Sequence, residues 1–334
     1  MDEEDLIPAD YNDGNRAFLQ ALMARGVVTY REGKSILAAI FAARDGEPID
    51  PNSVSQETFA AYIAAAQEAV SHFDYDLRSA MHQVRKERVW ALVNTTSDPL
   101  TQLATLHTAD EIAFVKRILD SMFEKYNTQR MEVMCVDSIQ ANKCRNVPRP
   151  DLDESVLDRE ASQAQSQSLK GLKSSEVEAV MAAMVDEGWF EKSGNSFYGL
   201  APRALMELRT WLIESYNDPD AGPDEWQRVK FCEACKEIVT MGQRCADRDC
   251  NVRLHDICDE GFWRTRRDQK CPRCSTEWSG KHFVGPKAVT ETEAYKRGRR
   301  RSDRDRGSLM EQVMQEEGEE DGDEGMNGED VDEE

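Results

Sequence analysis

The chain has 334 residues, 40% of them hydrophobic, with 42 Lys and Arg against 64 Asp and Glu; that length suits roughly two domains with extra modules. Mean hydropathy is −0.68, and no uncharged apolar run approaches the ~18 residues of a membrane span, so no membrane association is expected. The acidic start Met-Asp-Glu-Glu-Asp is unlike a secretory signal, which predicts a reducing compartment for the nine cysteines and no disulfides.

Residues 15–25 read as a helix on Phe18, Leu19, Leu22 and Met23, with Gly26 placed to end it in a left-handed conformation. Ile36, Leu37, Ile40 and Phe41 mark a second helix, and Phe59, Ile63, Ala66, Val70 and Phe73 a third. Arg88–Asn94 reads as a strand pairing with 77–84, so three helices and a hairpin predict a winged-helix domain over 15–100. The pattern recurs over 101–216. Thr108 with Glu111 makes a capping box ahead of Ile112, Val115, Leu119, Met122 and Tyr126. Residues 131–136 are expected to form a short strand and 137–143 a second helix, and Ser175 with Glu178 is placed to cap a third that Gly188 ends. Ser193-Gly194-Asn195-Ser196 is a tight-turn composition between 189–192 and 197–200, predicting the second hairpin, and Pro202 opens a last helix.

Between these elements, a Pro-Arg-Pro start and a Ser- and Gln-rich run make 145–173 a mobile insert, and 217–228 is a linker. At the ends, 1–14 is expected to be flexible and 284–334 a disordered tail, basic and then acidic. Residues 311–334 hold thirteen acidic residues and no Lys or Arg, leaving −9 of the net −22 to the rest of the chain. The third helix of the second domain offers DNA little: 175–187 carries four acidic residues and no basic one. Groove insertion is unfavourable with that charge, so the winged helices are expected to dock protein, with DNA reached only through an assembly.

The cysteines carry the strongest chemistry. Seven of the nine lie between 232 and 274 with His255, in the order Cys232-x2-Cys235-x9-Cys245-x4-Cys250-x4-His255-x2-Cys258-x12-Cys271-x2-Cys274. Eight thiol and imidazole donors match two closed tetrahedral zinc sites, which are structural because no position stays open for water. In the interleaved arrangement of RING and PHD modules, pairs one and three share a metal, as do pairs two and four. Cys232, Cys235, His255 and Cys258 then hold one zinc ion, and Cys245, Cys250, Cys271 and Cys274 the other. The module at 229–283 has few large apolar residues, so metal should supply most of its folding free energy. Cys135 and Cys144 read as ordinary thiols, and neither a nucleophile constellation nor a phosphate-binding glycine loop is present in the sequence.

The stretch Phe231-Cys-Glu-Ala-Cys-Lys-Glu-Ile-Val-Thr-Met-Gly-Gln-Arg-Cys, with Arg253-Leu-His-Asp-Ile-Cys and Lys270-Cys-Pro-Arg-Cys, resembles the variant RING of the non-SMC element one family. The start Asn15-Arg-Ala-Phe-Leu-Gln-Ala-Leu-Met-Ala-Arg-Gly-Val-Val resembles that family's first helix, and Trp90-Ala-Leu-Val-Asn and Gly188-Trp-Phe-Glu-Lys are similar to parts of its two winged-helix domains. The resemblance implies a mainly α fold with small β-hairpins, tandem winged helices and a zinc-binding variant RING. It further implies a subunit of a structural-maintenance-of-chromosomes complex in DNA repair, with a MAGE-type partner, a kleisin and a ubiquitin-conjugating enzyme, acting as a RING-type ubiquitin ligase. Ala234, Ile238, Trp263 and Pro272 are then the candidate contacts to the conjugating enzyme. Ala234 stands where active RINGs often place a large aliphatic residue, and Ser275 where many place a basic one, which predicts weak transfer by the chain alone. Two other functions fit the ligand order: a non-catalytic structural subunit, or a PHD-like histone reader, which Gln269 disfavours because PHD fingers usually carry Trp there. The run Lys296-Arg-Gly-Arg-Arg-Arg predicts nuclear residence.

Overall fold

Asn12 accepts hydrogen bonds from the amides of Gly14 and Asn15 and so opens α1 (Asp13–Arg25), which Gly26 ends at φ 69°. β1 (Val27–Thr29) runs directly into a second cap, Thr29 with Glu32, at the head of α2 (Tyr30–Asp45). Ser55 caps α3 (Gln56–Ser71), and β2 (Tyr75–Met81) then pairs antiparallel with β3 (Arg88–Asn94). β1 adds to the other edge of β3, giving the order β1-β3-β2 and completing a winged helix. Phe18, Leu22, Leu37, Phe59, Ala66 and Leu77 form its core, with Trp90 and Leu92 of β3 packed against them. Strand alternation sends Val89, Ala91 and Val93 to the opposite face.

The order recurs in α4 (Ala109–Asp120), continued by a π-helical turn at Ser121–Lys125, then α5 (Ser138–Lys143), α6 (Ser174–Asp186) and the hairpin of β4 (Phe190–Lys192) with β5 (Tyr198–Leu200). The expected strand at 131–136 is reduced to isolated bridges, Asn127 with Glu132 and Val136 with Tyr198. α7 (Pro202–Glu207) and α8 (Arg209–Tyr216) follow. Met206 of α7 packs on Val89, Ala91 and Val93, and its carbonyl accepts a 3.2 Å bond from Arg78, so α7 covers the outer face of the first sheet.

The zinc-ligand module holds β6 (Gly242–Arg244), β7 (Arg253–Leu254), α9 (Asp256–Arg264) and β8 (Phe283–Val284), with strand order β7-β6-β8. This computed structural model describes residues 11–95, 106–147, 170–222, 225–266, 268–301 and 309–323, so most of the expected insert and the two chain ends lie outside the described residues. Two compact units emerge: Met1–Ala113 with Ser175–Lys192 and Leu200–Pro219, and Phe114–Ser174 with Ser193–Gly199 and Asp220–Glu334. No helix among the described residues is long and apolar enough to cross a membrane.

Beyond 284 the structure differs from the disordered tail that the charge pattern suggests. α10 (Lys287–Thr290), α11 (Glu293–Arg301) and α12 (Leu309–Asp323) are helical. Val289, Met310 and Val313 are buried. Glu311 accepts a 2.9 Å bond from the Tyr126 hydroxyl and pairs with Lys143. Three apolar side chains and one shared carboxylate anchor a segment whose overall composition is that of a solvated chain.

Candidate metal centre

The two Cys-x2-Cys turns have the same backbone. Lys236, which follows Cys235, and Ser275, which follows Cys274, take positive φ values of 62° and 61°. Each turn closes with a hydrogen bond from a backbone amide to the first cysteine's carbonyl, Lys236 to Cys232 at 2.9 Å and Ser275 to Cys271 at 3.0 Å. That curl brings both thiols of a pair to one side of the loop. The longer Cys245-x4-Cys250 turn is braced instead by the Asp247 carboxylate, which accepts the Asp249 amide at 3.0 Å. His255 and Cys258 stand at the N-cap and first turn of α9, and so share one side of the helix start.

The fold assembles the eight donors into two groups, Cys232, Cys235, His255 and Cys258, and Cys245, Cys250, Cys271 and Cys274, with the ligand atoms of each group within 4.8 Å of one another. His255 Nδ1 lies 3.3 Å from Cys235 Sγ and 3.9 Å from Cys258 Sγ; Cys245 and Cys274 are 3.4 Å apart, and Cys250 and Cys271 3.6 Å. A tetrahedron built on Zn–S bonds of ~2.3 Å has edges of ~3.8 Å, so both clusters fit zinc. The imidazole is oriented for that role, because its Nε2–H donates a 3.1 Å hydrogen bond to the Ile238 carbonyl and leaves Nδ1 toward the thiols. Burial, with the neighbouring thiols, pushes Cys258 up to about 11 and Cys250 up to about 12. Three thiolates in the first cluster and four in the second, this close together, need a central cation, and a divalent ion removes the penalty.

The conjugating-enzyme candidates divide. Ala234 and Pro272 are exposed on the two matching turns. Ile238 is 2% exposed and Trp263 8% exposed, so little of either candidate side chain reaches the surface. The reason lies in the shortage of large apolar residues: the module spends both on its own core. Trp263 packs 5.6 Å from Trp278 and donates to Asp259 at 2.9 Å, and Ile238 pairs with Phe231 in a bridge while holding the ligand histidine through its carbonyl. Cys135 is fully buried and its thiol is pushed up by that burial, consistent with an inert core residue.

Sequence reasoning overlooked Glu132, which the structure places against Arg253 beside the ligand segments. The available signal was a single carboxylate inside the apolar run Met131-Glu-Val-Met-Cys-Val, a position that needs a buried cation.

Comparison with known proteins gives a consistent result. A family model described as the Nse1 non-SMC component of SMC5-6 complex matches residues 15–208, and a RING-like domain model matches 232–274. The human protein "Non-structural maintenance of chromosomes element 1 homolog" is 21% identical over 270 residues, covering 80% of this chain and 84% of that protein. "Non-structural maintenance of chromosomes element 1" of Schizosaccharomyces pombe is 20% identical over 223 residues, covering 67% and 78%. A chain of a solved structure titled "Nse1-Nse3-Nse4 complex" superposes with a TM-score of 0.59 at 18% identity, covering 81% of this chain and 99% of that one.

Proposed function

This chain belongs to the family of the Nse1 non-SMC component of the SMC5-6 complex, and from that premise we propose that it is a RING-type ubiquitin ligase subunit holding two zinc ions and acting in DNA repair. The observation that carries the reading is the interleaved assembly of eight ligands in a RING-like module. Such a module has no nucleophile of its own; thioester chemistry belongs to the conjugating enzyme, and the ligase narrows its ubiquitin to reactive geometries. The zinc ions, held by the two four-residue groups, supply structure. Ala234 offers a conjugating enzyme little apolar area and Ser275 no charge, so the chain alone should transfer ubiquitin slowly. In a reconstituted assay of the full chain, transfer is expected to rise clearly when a MAGE-type partner is added and to vanish in Cys235→Ala and Cys274→Ala. Activity that survives both substitutions rejects the RING as its source. The second reading, a structural subunit without catalysis, draws on the burial of Ile238 and Trp263, two of the four candidate contacts, which leaves a conjugating enzyme less apolar surface.

Partner docking falls to the winged helices. In the first unit, Met23, Phe73, Tyr75 and Leu106 are each at least 38% exposed and line one groove of about 950 Å³. Exposed apolar side chains that share a groove mark a docking surface. We assign it to the MAGE-type partner, with the kleisin joining the same assembly. Phe73→Asp with Leu106→Asp should weaken partner binding at least ~10-fold, about 1.4 kcal/mol, in a calorimetric titration while leaving the thermal transition in place. Unchanged affinity moves the docking site elsewhere. Nuclear residence belongs to the same proposal, supported by family membership and by the basic residues of 296–301.

A further inference from the structure

Glu132 is 1% exposed, and Met131, Val133, Met134, Cys135 and Val136 around it are buried too. An ionised carboxylate in such surroundings persists only when it is paired and hydrogen-bonded. Its Oε2 accepts a 2.7 Å bond from Arg253 Nε; its Oε1 accepts from Arg253 Nη2, from Lys230 at 3.0 Å and from the Trp226 indole at 3.2 Å, with Arg244 at 3.8 Å. Every one of these donors comes from residues 226–253, the first part of the zinc-ligand module and its approach. Burial raises the carboxyl's pKa, but the Arg253 bond and the surrounding cations outweigh it and hold the group at about 2.

Arg253 joins this carboxylate to both clusters. Its guanidinium Nη1 donates to the carbonyls of Cys250 and Val252, each at 2.7 Å. Its own carbonyl accepts the amide of Glu233, inside the Cys232-x2-Cys235 turn, at 2.8 Å, and the residue forms a parallel bridge with Cys232. It also lies two residues before the ligand His255. Arg253 is fully buried, so this strut has no alternative partner in water. A second set of bonds spans the same joint: Arg244 donates to the carbonyls of Gln129 at 2.7 Å and Arg130 at 3.1 Å, and the Gly285 amide donates to the Glu132 carbonyl at 2.7 Å.

We infer that Glu132 is a positioning residue for both metal clusters, acting through Arg253, and that metal retention and the packing of residues 123–133 are a single linked equilibrium. The inference rests on the zinc reading of the eight ligands. Removing one partner of a buried pair strands the other charge, and partners that orient metal ligands typically carry 10–100-fold of metal affinity. Linkage makes the effect reciprocal: whatever the carboxylate contributes to metal retention, bound metal returns to the packing of its segment.

The experiment follows zinc release from the full chain into a chromogenic chelator. Glu132→Gln keeps the shape and removes the charge, and is expected to release zinc on the order of 10–100 times faster than the wild type; Glu291→Gln, which breaks the surface pair with Lys296, should release at the wild-type rate. Because the Glu132 variant could fail to fold, a second measurement uses the wild type alone. Chelation should raise amide hydrogen exchange at 123–133 as well as at 229–283. A wild-type chain purified without zinc overturns the zinc reading together with this inference. A zinc-loaded chain whose release rate is unchanged by Glu132→Gln, or whose 123–133 segment stays protected after chelation, overturns the inference and leaves the zinc reading standing.

Discussion

His255→Ala is expected to lower zinc content from two ions per chain to one and to open the RING-like module to protease, whereas His282→Ala should leave both properties unchanged. The two histidines differ in position, not in chemistry. His255 is 2% exposed, with Nδ1 facing Cys235 and Cys258 and Nε2 fixed on the Ile238 carbonyl. His282 is exposed and stands outside both clusters, and it is its backbone carbonyl that accepts the Arg244 amide at 2.9 Å; alanine at that position keeps the bond. Structural zinc binds such sites with about 10–16 kcal/mol of apparent free energy, comparable with the whole stability of about 5–15 kcal/mol that a domain commands. Losing one site therefore removes more than the small core of Ile238, Val239, Leu254, Trp263 and Trp278 can replace. Metal analysis and limited proteolysis on the purified variants check this. Equal zinc content in the two variants, or equal protease resistance, would show that His255 is not a ligand.

The contrast between these histidines was legible before any coordinates, because ligand order is a one-dimensional property. Spacing alone separates His255 from the other imidazoles and sorts the eight donors into pairs. The cap at Thr108, the left-handed stop at Gly26 and the turn at Ser193 were legible for a similar reason, since each depends on residues close together in the chain. What escaped depends on distant neighbours. Glu132 reads as a polar interruption until Arg253, 121 residues later, is placed beside it. Met310 and Val313 are outnumbered by acidic neighbours, and only the surface they bury against shows that 309–323 is held. Chain order also assigns α7 to the second winged helix, although Met206 spends its side chain on the first sheet. Ile238 and Trp263 are buried although they are candidate contacts, because a resemblance carries over positions without carrying over exposure.

Gly33→Ala is expected to destabilise the first unit by about 2 kcal/mol, although helix propensity alone argues the other way by ~1 kcal/mol. Gly33 lies inside α2 with ordinary helical backbone, so a methyl group meets no conformational strain there. The obstacle is packing. A Cβ at Gly33 would stand 2.1 Å from Phe59 Cε2 and 2.8 Å from Cδ2, well inside van der Waals contact. Nor can the ring step aside, because Phe59 is 2% exposed and held edge-on by Trp90 at 4.9 Å, Tyr30 at 5.2 Å and Phe18 at 6.2 Å. The extra carbon must displace the ring through three aromatic neighbours or separate α2 from α3, and overpacking of this kind costs ~1–3 kcal/mol or more. A calorimetric scan should show the transition falling by roughly 4–8 °C. Gly261→Ala is the matched comparison, since that helical glycine has nothing within 4 Å of its added carbon, and propensity should there raise stability slightly. Phe59→Leu opens space at the same contact, so combining it with Gly33→Ala should cost less than the two changes summed. A Gly33→Ala chain that melts higher than the wild type would mean that α2 and α3 approach less closely than the Phe59 contact requires, and the additive double variant would say the same independently.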